Sequence, residues 1–231
     1  MVVLRPKLVG TSIAKAVKEE LDGDSLLQEA LARGIVNMSA VARTLKPAVE
    51  ARVGGDVSEV AIVTSIKRVK GAYRRRALDY LRVLAKSSVE VRTDLAIISI
   101  QSGAETVSKV KEVAIKNYAS FVQISSSPAA HTLVFDTGLF GYVKARLGDE
   151  GILEAKTDMA AMIIHSPEEI SKTPGCIAAI YSKLARTGIN VVDTVSNYVD
   201  TIIVVKMADI VKAFTAVTEL INEARRSGVD R

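Results

Sequence analysis

Apolar residues recur three and four apart through the first third of the chain, then fall into short runs separated by helical stretches through the rest. The first pattern predicts packed helices and the second an alternation of strands and helices. Ser12 can cap a helix in which Ile13, Ala16, Val17 and Leu21 share a face and which ends at Asp22-Gly23-Asp24. A second helix starts near Ser25, carries Leu26, Leu27, Ala30 and Leu31 as its stripe, and stops at Gly34. A third is capped by Ser39, repeats Val41, Leu45, Val49 and Val53, bends at Pro47 and breaks at Gly54-Gly55. The fourth starts at Asp56 or Ser58, presents Ile62, Ile66, Val69 and Tyr73, and runs to Leu84 unless Gly71 interrupts it. The only strand expected in this part covers residues 1–4.

Beyond residue 91 the pattern reads strand 95–100, helix 104–118, strand 121–125, strand 132–135, helix 139–147 and strand 151–155. The same order then starts again: strand 159–164, helix, strand, strand 201–205 and helix 210–225. An internal repeat of about 65 residues is too long for a solenoid and suits a duplicated α/β module.

The second copy holds the most informative stretch, residues 173–197, TPGCIAAIYSKLARTGINVVDTVSN. Pro174 suits a first helical turn, Gly175 lets a guest approach the backbone, and Ile177, Ile180, Tyr181 and Leu184 recur at helical spacing. Gly188 ends that helix, and Val191, Val192 and Val195 start a strand. The unbonded N–H groups of Gly175, Cys176 and Ile177 can receive a carboxylate, and Asp193 or Asn190 can hold an ammonium, so a free amino acid fits the spacing. The bland alternative is a plain strand-to-helix turn with no guest.

On these residues the stretch from Met159 to Glu223 resembles the ACT domain, the small regulatory ligand-binding module of aspartokinases and other enzymes of amino-acid metabolism. The resemblance implies a ferredoxin-like βαββαβ fold in which the turn after the first strand and the start of the second hold an amino acid, often between paired domains. Carried onto this chain it implicates Thr173, Pro174, Gly175, Cys176, Ile177, Asn190, Val192 and Asp193. The first copy has Gln101-Ser102-Gly103 in place of the Pro-Gly turn, and its likeness rests on 121–126 and the 132–135 strand. The implied fold class is α+β: an N-terminal all-helical domain (1–88) followed by two ACT-like modules (89–157 and 158–231), as in aspartokinase regulatory regions. The second copy lacks a fourth strand of its own. Residues 88–92 or 1–4 can supply it, or a partner subunit can cover the edge.

The 231 residues are 48% hydrophobic, enough for packed cores, and contain no apolar run of the roughly 18 residues that a membrane helix needs. A cytoplasmic location without membrane association is expected. Net charge is +5, unevenly spread: residues 1–92 carry 17 Lys and Arg against 10 Asp and Glu. Lys67, Arg68, Lys70, Arg74, Arg75 and Arg76 lie within ten residues that hold no acid, and two helices joined by a Gly-containing turn outline a helix-turn-helix. Those six residues can contact nucleic-acid phosphates; the bland alternative is a solvated helix face.

Cys176 is the single cysteine, and His131 and His165 are the only histidines. No disulfide, zinc cluster or phosphate loop can be built from them, and no cofactor or metal is expected. Cys176 at a helix start invites a nucleophile reading, but no histidine stands near it in sequence, so a small packing residue is the plainer role. Both histidines read as surface or loop residues. The chain is therefore read as a non-catalytic regulator that binds a small ligand, an amino acid, and works as a homodimer or higher oligomer. Two alternatives stand beside it: an amino-acid-responsive DNA-binding transcriptional regulator, and a regulatory subunit docking on an amino-acid biosynthetic enzyme such as aspartokinase.

Overall fold

The computed structural model describes residues 10–227, which fall into two compact units divided between Tyr80 and Leu81. The strand expected over residues 1–4 lies outside the described residues. Helix and sheet are mixed, with the helical unit first and, among the described residues, every strand in the second.

The first unit contains α1 (Ile13–Asp22), α2 (Ser25–Arg33), α3 (Met38–Val53) and most of α4 (Glu59–Ala85). Ser12 caps α1, accepting from the Lys15 N–H at 3.3 Å, and Asp24 caps α2, accepting from the Leu27 N–H at 2.9 Å. The cap of α3 is Asn37, which accepts from the amides of both Ser39 and Ala40; Ser39 is already helical. Gly71 does not interrupt α4, which continues through it to Ala85. Ala16, Val17, Leu21, Leu31, Leu45, Val49, Ile62, Ile66 and Tyr73 form the core. Each fully buried leucine or isoleucine contributes roughly 1.5–3 kcal/mol. Leu26, expected on the α2 stripe, is 69% exposed; Leu27 and Leu31 make the contact instead. Polar ties fix the rim: Arg52 is held between Glu19 and Glu20, and the Tyr73 hydroxyl donates to Asp22 at 2.9 Å.

The second unit is a six-stranded antiparallel sheet of order β2-β3-β1-β4-β6-β5. Its strands are β1 (Ser88–Gln101), β2 (Val122–Ser126), β3 (Ala130–Asp136), β4 (Ile152–His165), β5 (Asp193–Asn197) and β6 (Asp200–Lys206). The helices are α5 (Ala104–Lys116), α6 (Phe140–Leu147), α7 (Cys176–Arg186) and α8 (Ile210–Arg226). Two strands of 14 residues, β1 and β4, organise it. Residues 95–101 of β1 pair with β3 and with the first part of β4, whereas residues 88–92 pair with 161–165 of β4, which in turn pair with β6. Each long strand therefore serves two four-stranded halves, and residues 88–92 are the fourth strand of the second half. The register slips between Arg92 and Leu95, and Asp94 takes a positive φ of 56° there, so the strand bends where it passes from one half to the other.

That bend folds the sheet on itself. A flat sheet would hold the edge strands β2 and β5 roughly 24 Å apart. Instead the Asn197 side chain on β5 donates to Gln123 on β2 at 3.3 Å. The faces turned inward meet in a cluster of Leu95, Ile97, Val134, Met159, Ala161, Ile202 and Val204. At the rim Arg92 chelates Asp136 (2.9 and 3.1 Å) and lies 4.9 Å over the Phe121 ring. On the other face of the first half, α5 and α6 pack on Ala96, Ile98, Ile100, Leu133 and Phe135.

Candidate functional site

Thr173, Pro174 and Gly175 stand between β4 and α7, and Cys176 and Ile177 open the helix. Gly175 caps the helix at φ 105°, a left-handed conformation that a side chain rarely tolerates, and no side chain caps the first turn of α7. Pro174 precedes this cap and is exposed, so it lies outside the helix rather than in its first turn. The Thr173 hydroxyl is engaged, donating to the Glu169 carbonyl at 2.8 Å. Cys176 is 1% exposed, and burial pushes its thiol up to about 11, the opposite of an activated nucleophile.

Asn190, Val192 and Asp193 stand elsewhere. The α7 helix has 11 residues, about 16 Å of rise, and they follow its far end. Asn190 is exposed. Val192 packs on the inward cluster, and Asp193 pairs directly with Val204 of that cluster, so its side chain shares the inward face. Its Oδ2 is buried without a partner, and burial raises the carboxyl above its ordinary range. Within one chain the two halves of the expected site do not meet.

The strand register exposes an internal equivalence that sequence reading missed. Gln101 pairs with Ala130 as His165 pairs with Asp200, and Ser102 N–H donates to the Ala129 carbonyl as Ser166 N–H does to Val199, both at 3.0 Å. By this register His131 corresponds to Thr201, and Ser126 to Ser196. His131 is no surface residue: it lies in β3, 6% exposed, with Nε2 3.2 Å from Ser102 Oγ and Nδ1 2.8 Å from Ser126 Oγ. The imidazole thus fills the corner ahead of the α5 start. Thr201 is 1% exposed and its hydroxyl has no partner, while Ser166 is taken by the Ser87 hydroxyl at 3.0 Å. By register, the same corner of the second half holds a smaller side chain and an unmet hydrogen bond.

His165 ends β4, with Nδ1 2.8 Å from Asp200 and Nε2 3.6 Å from Glu90. The Asp200 hydrogen bond, more than Glu90, raises its pKa. No group of three metal-type ligands occurs among the described residues, and no helix among them is long and apolar enough to cross a membrane.

The six basic residues lie on α4, with Lys67, Arg68, Arg74, Arg75 and Arg76 exposed and Lys70 half-buried. The helix is joined to α3 through residues 54–58. Gly71 sits among them, exposed in mid-helix, where glycine costs roughly 0.5–1 kcal/mol against alanine. A Cβ there would meet nothing within 4 Å, so packing does not require the glycine.

No protein-family model matches this chain, and no curated protein matches it in sequence. Solved structures that resemble it include the ligand-free regulatory subunit of aspartate kinase from Thermus thermophilus, at 18% identity and a TM-score of 0.49, covering 57% of this chain and 95% of that one. An allosteric aspartate kinase from Clostridium acetobutylicum gives 18% identity and a TM-score of 0.49 over 59% of this chain, which spans 34% of that enzyme. A Vibrio cholerae protein of unknown function, a possible transport protein, gives 19% identity and a TM-score of 0.44 over 64% of this chain and 98% of its own.

Proposed function

We propose that the second unit is a pair of ACT-type modules sharing their long strands, and that the chain is a non-catalytic regulator whose second module binds a free amino acid. The observation that carries this reading is a pair of features of the second half: α7 starts at Gly175 without a side-chain cap, and Thr201, the register equivalent of His131, buries a hydroxyl that lacks a partner. Helix N–H groups receive a carboxylate, and a buried hydroxyl without a partner favours any guest that satisfies it. The equivalent corner of the first module is closed by His131, so one site per chain is expected.

Asn190 enters through a second copy of the chain. Two α7 helices packed antiparallel about a two-fold axis set the start of each beside the end of the other, which brings the turn of one subunit to Asn190 of its mate. Ala178, Ser182 and Ala185 are exposed along one side of α7 and are small enough to admit such a neighbour. Val192 and Asp193, turned inward, hold the strand that presents Asn190. Ligand binding would then favour one dimer arrangement through its differential affinity.

Isothermal titration with each of the twenty amino acids tests the reading. One of them is expected to bind at one per chain, with affinity falling on dilution into monomer. Silence from all twenty overturns it. A thermal-shift screen is the faster form, since a ligand at 100 times its dissociation constant stabilises by about 2.7 kcal/mol.

A further inference from the structure

A separate arrangement surrounds Gly71 on α4. On a helix surface, the neighbours of a residue are those three and four positions away. For Gly71 these are Lys67, Arg68, Arg74 and Arg75, all cationic. At about 100° per residue they fall within roughly 60° on either side of Gly71, while Ile62, Ile66 and Tyr73, which pack the core, lie roughly 140–180° away. The glycine therefore faces directly outward, ringed by four positive side chains.

Those charges are not spent inside the protein. Lys18, Arg33, Arg43, Lys46 and Arg52 of the same unit each pair with a carboxylate. Among the described residues no carboxylate forms an ion pair with Lys67, Arg68, Arg74 or Arg75. A missing side chain at the centre of four unpaired cations leaves a seat with a bare backbone floor, open to a compact anion.

We propose that this face of α4 binds the phosphate backbone of a nucleic-acid duplex, with one phosphate seated over Gly71 and its neighbours held by the surrounding arginines and lysine. Three of the four cations are arginines, whose planar fork grips phosphate bidentately. A membrane surface fits less well, because an interfacial helix must bury its apolar side in lipid and that side of α4 is already packed on the unit's own core.

Fluorescence anisotropy of the full chain with a labelled 20-base-pair DNA, from 50 to 200 mM salt, tests this. With four phosphate contacts, affinity is expected to fall about 100-fold across that range. Arg74→Ala is expected to make that salt dependence shallower by about one contact. Gly71→Leu leaves every charge in place, its Cβ meets nothing within 4 Å and leucine is the better helix former, so its thermal midpoint should not fall, yet it is expected to weaken binding at least tenfold. Absence of binding at 50 mM salt overturns the proposal. So does equal binding by the folded Gly71→Leu variant, and so does binding to phosphatidylserine vesicles without binding to the duplex.

Discussion

The two halves of the second unit put the same elements in the same order, yet treat the corner between first strand and first helix in opposite ways. In the first half two residues, Ser102 and Gly103, lead from β1 to α5, and His131 bridges two serines beneath the turn. In the second half ten residues lead from β4 to α7, and Thr201 sits beneath with its hydroxyl unmatched. A satisfied buried polar group locks a corner, whereas an unsatisfied one costs on the order of 1–3 kcal/mol and is tolerated where something else gains from it. The two halves therefore differ at this corner by a single side chain and a longer loop, the difference on which the proposed ligand site rests.

Transplanting the lock gives the largest expected effect. Thr201→His should place in the second corner the imidazole that the first already accommodates, with Ser166 and Ser196 where Ser102 and Ser126 stand. Amino-acid affinity measured by titration is expected to drop about 100-fold or more, about 2.7 kcal/mol, with the fold retained by circular dichroism. Retained affinity would show that the guest sits elsewhere.

Removing the lock comes next. His131→Ala leaves two serine hydroxyls without their partner and a cavity under α5, and is expected to cost about 2–3 kcal/mol in denaturant unfolding of the second unit. Thr201→Ala removes no hydrogen bond and should cost clearly less. Equal losses at the two positions would erase the distinction between them.

Thr201→Val sharpens it from the other side. The swap keeps the shape and deletes the unmet hydroxyl, so the ligand-free protein should gain about 1 kcal/mol. Amino-acid binding should weaken at the same time. A stabilised variant that binds as well as the parent would mean the hydroxyl never touches the guest.

What could be read from the chain follows from the range of the physics involved. Local signals were sufficient for α1, α2 and α7, whose apolar spacing and flanking Ser12, Gly34 and Gly188 act within a few residues. The cap at Asn37 was missed because Ser39 is an equally good cap by type, and only the backbone decides between them. Residues 88–92 are legible as one of several sources for the missing strand, but choosing them requires the pairing with β4, from Ser88 opposite His165 to Arg92 opposite Ala161, far away in sequence. The candidate site was legible as a motif and not as a place: spacing set the turn and Asn190 near one another in sequence, while α7 carries them apart in space. His131 was misread because nothing local distinguishes a histidine that bridges two serines from one in a loop; Ser102 and Ser126 reach it only through the sheet register. Asp193 was likewise read without its facing, which a one-residue change of strand register reverses.

The smallest expected effect is a pH dependence in the second half. Its strand ends at His165, bonded to Asp200 and near Glu90, where the first half has the uncharged pair Gln101 and Ala130. Because these carboxylates raise the histidine's pKa in the folded state, its stabilising contribution is fully present below the unfolded value near 6.5 and is lost as pH rises through the folded value. The imidazole is partly exposed, so solvent screening limits the effect to a few tenths of a kcal/mol. Unfolding midpoints of the parent and His165→Gln, measured from pH 5.5 to 8.5, should differ most at the acid end and converge at the alkaline end. A difference that grows toward high pH would have the wrong sign for a histidine stabilised by Asp200, and would require the charged ring to be opposed by a cation in the folded protein.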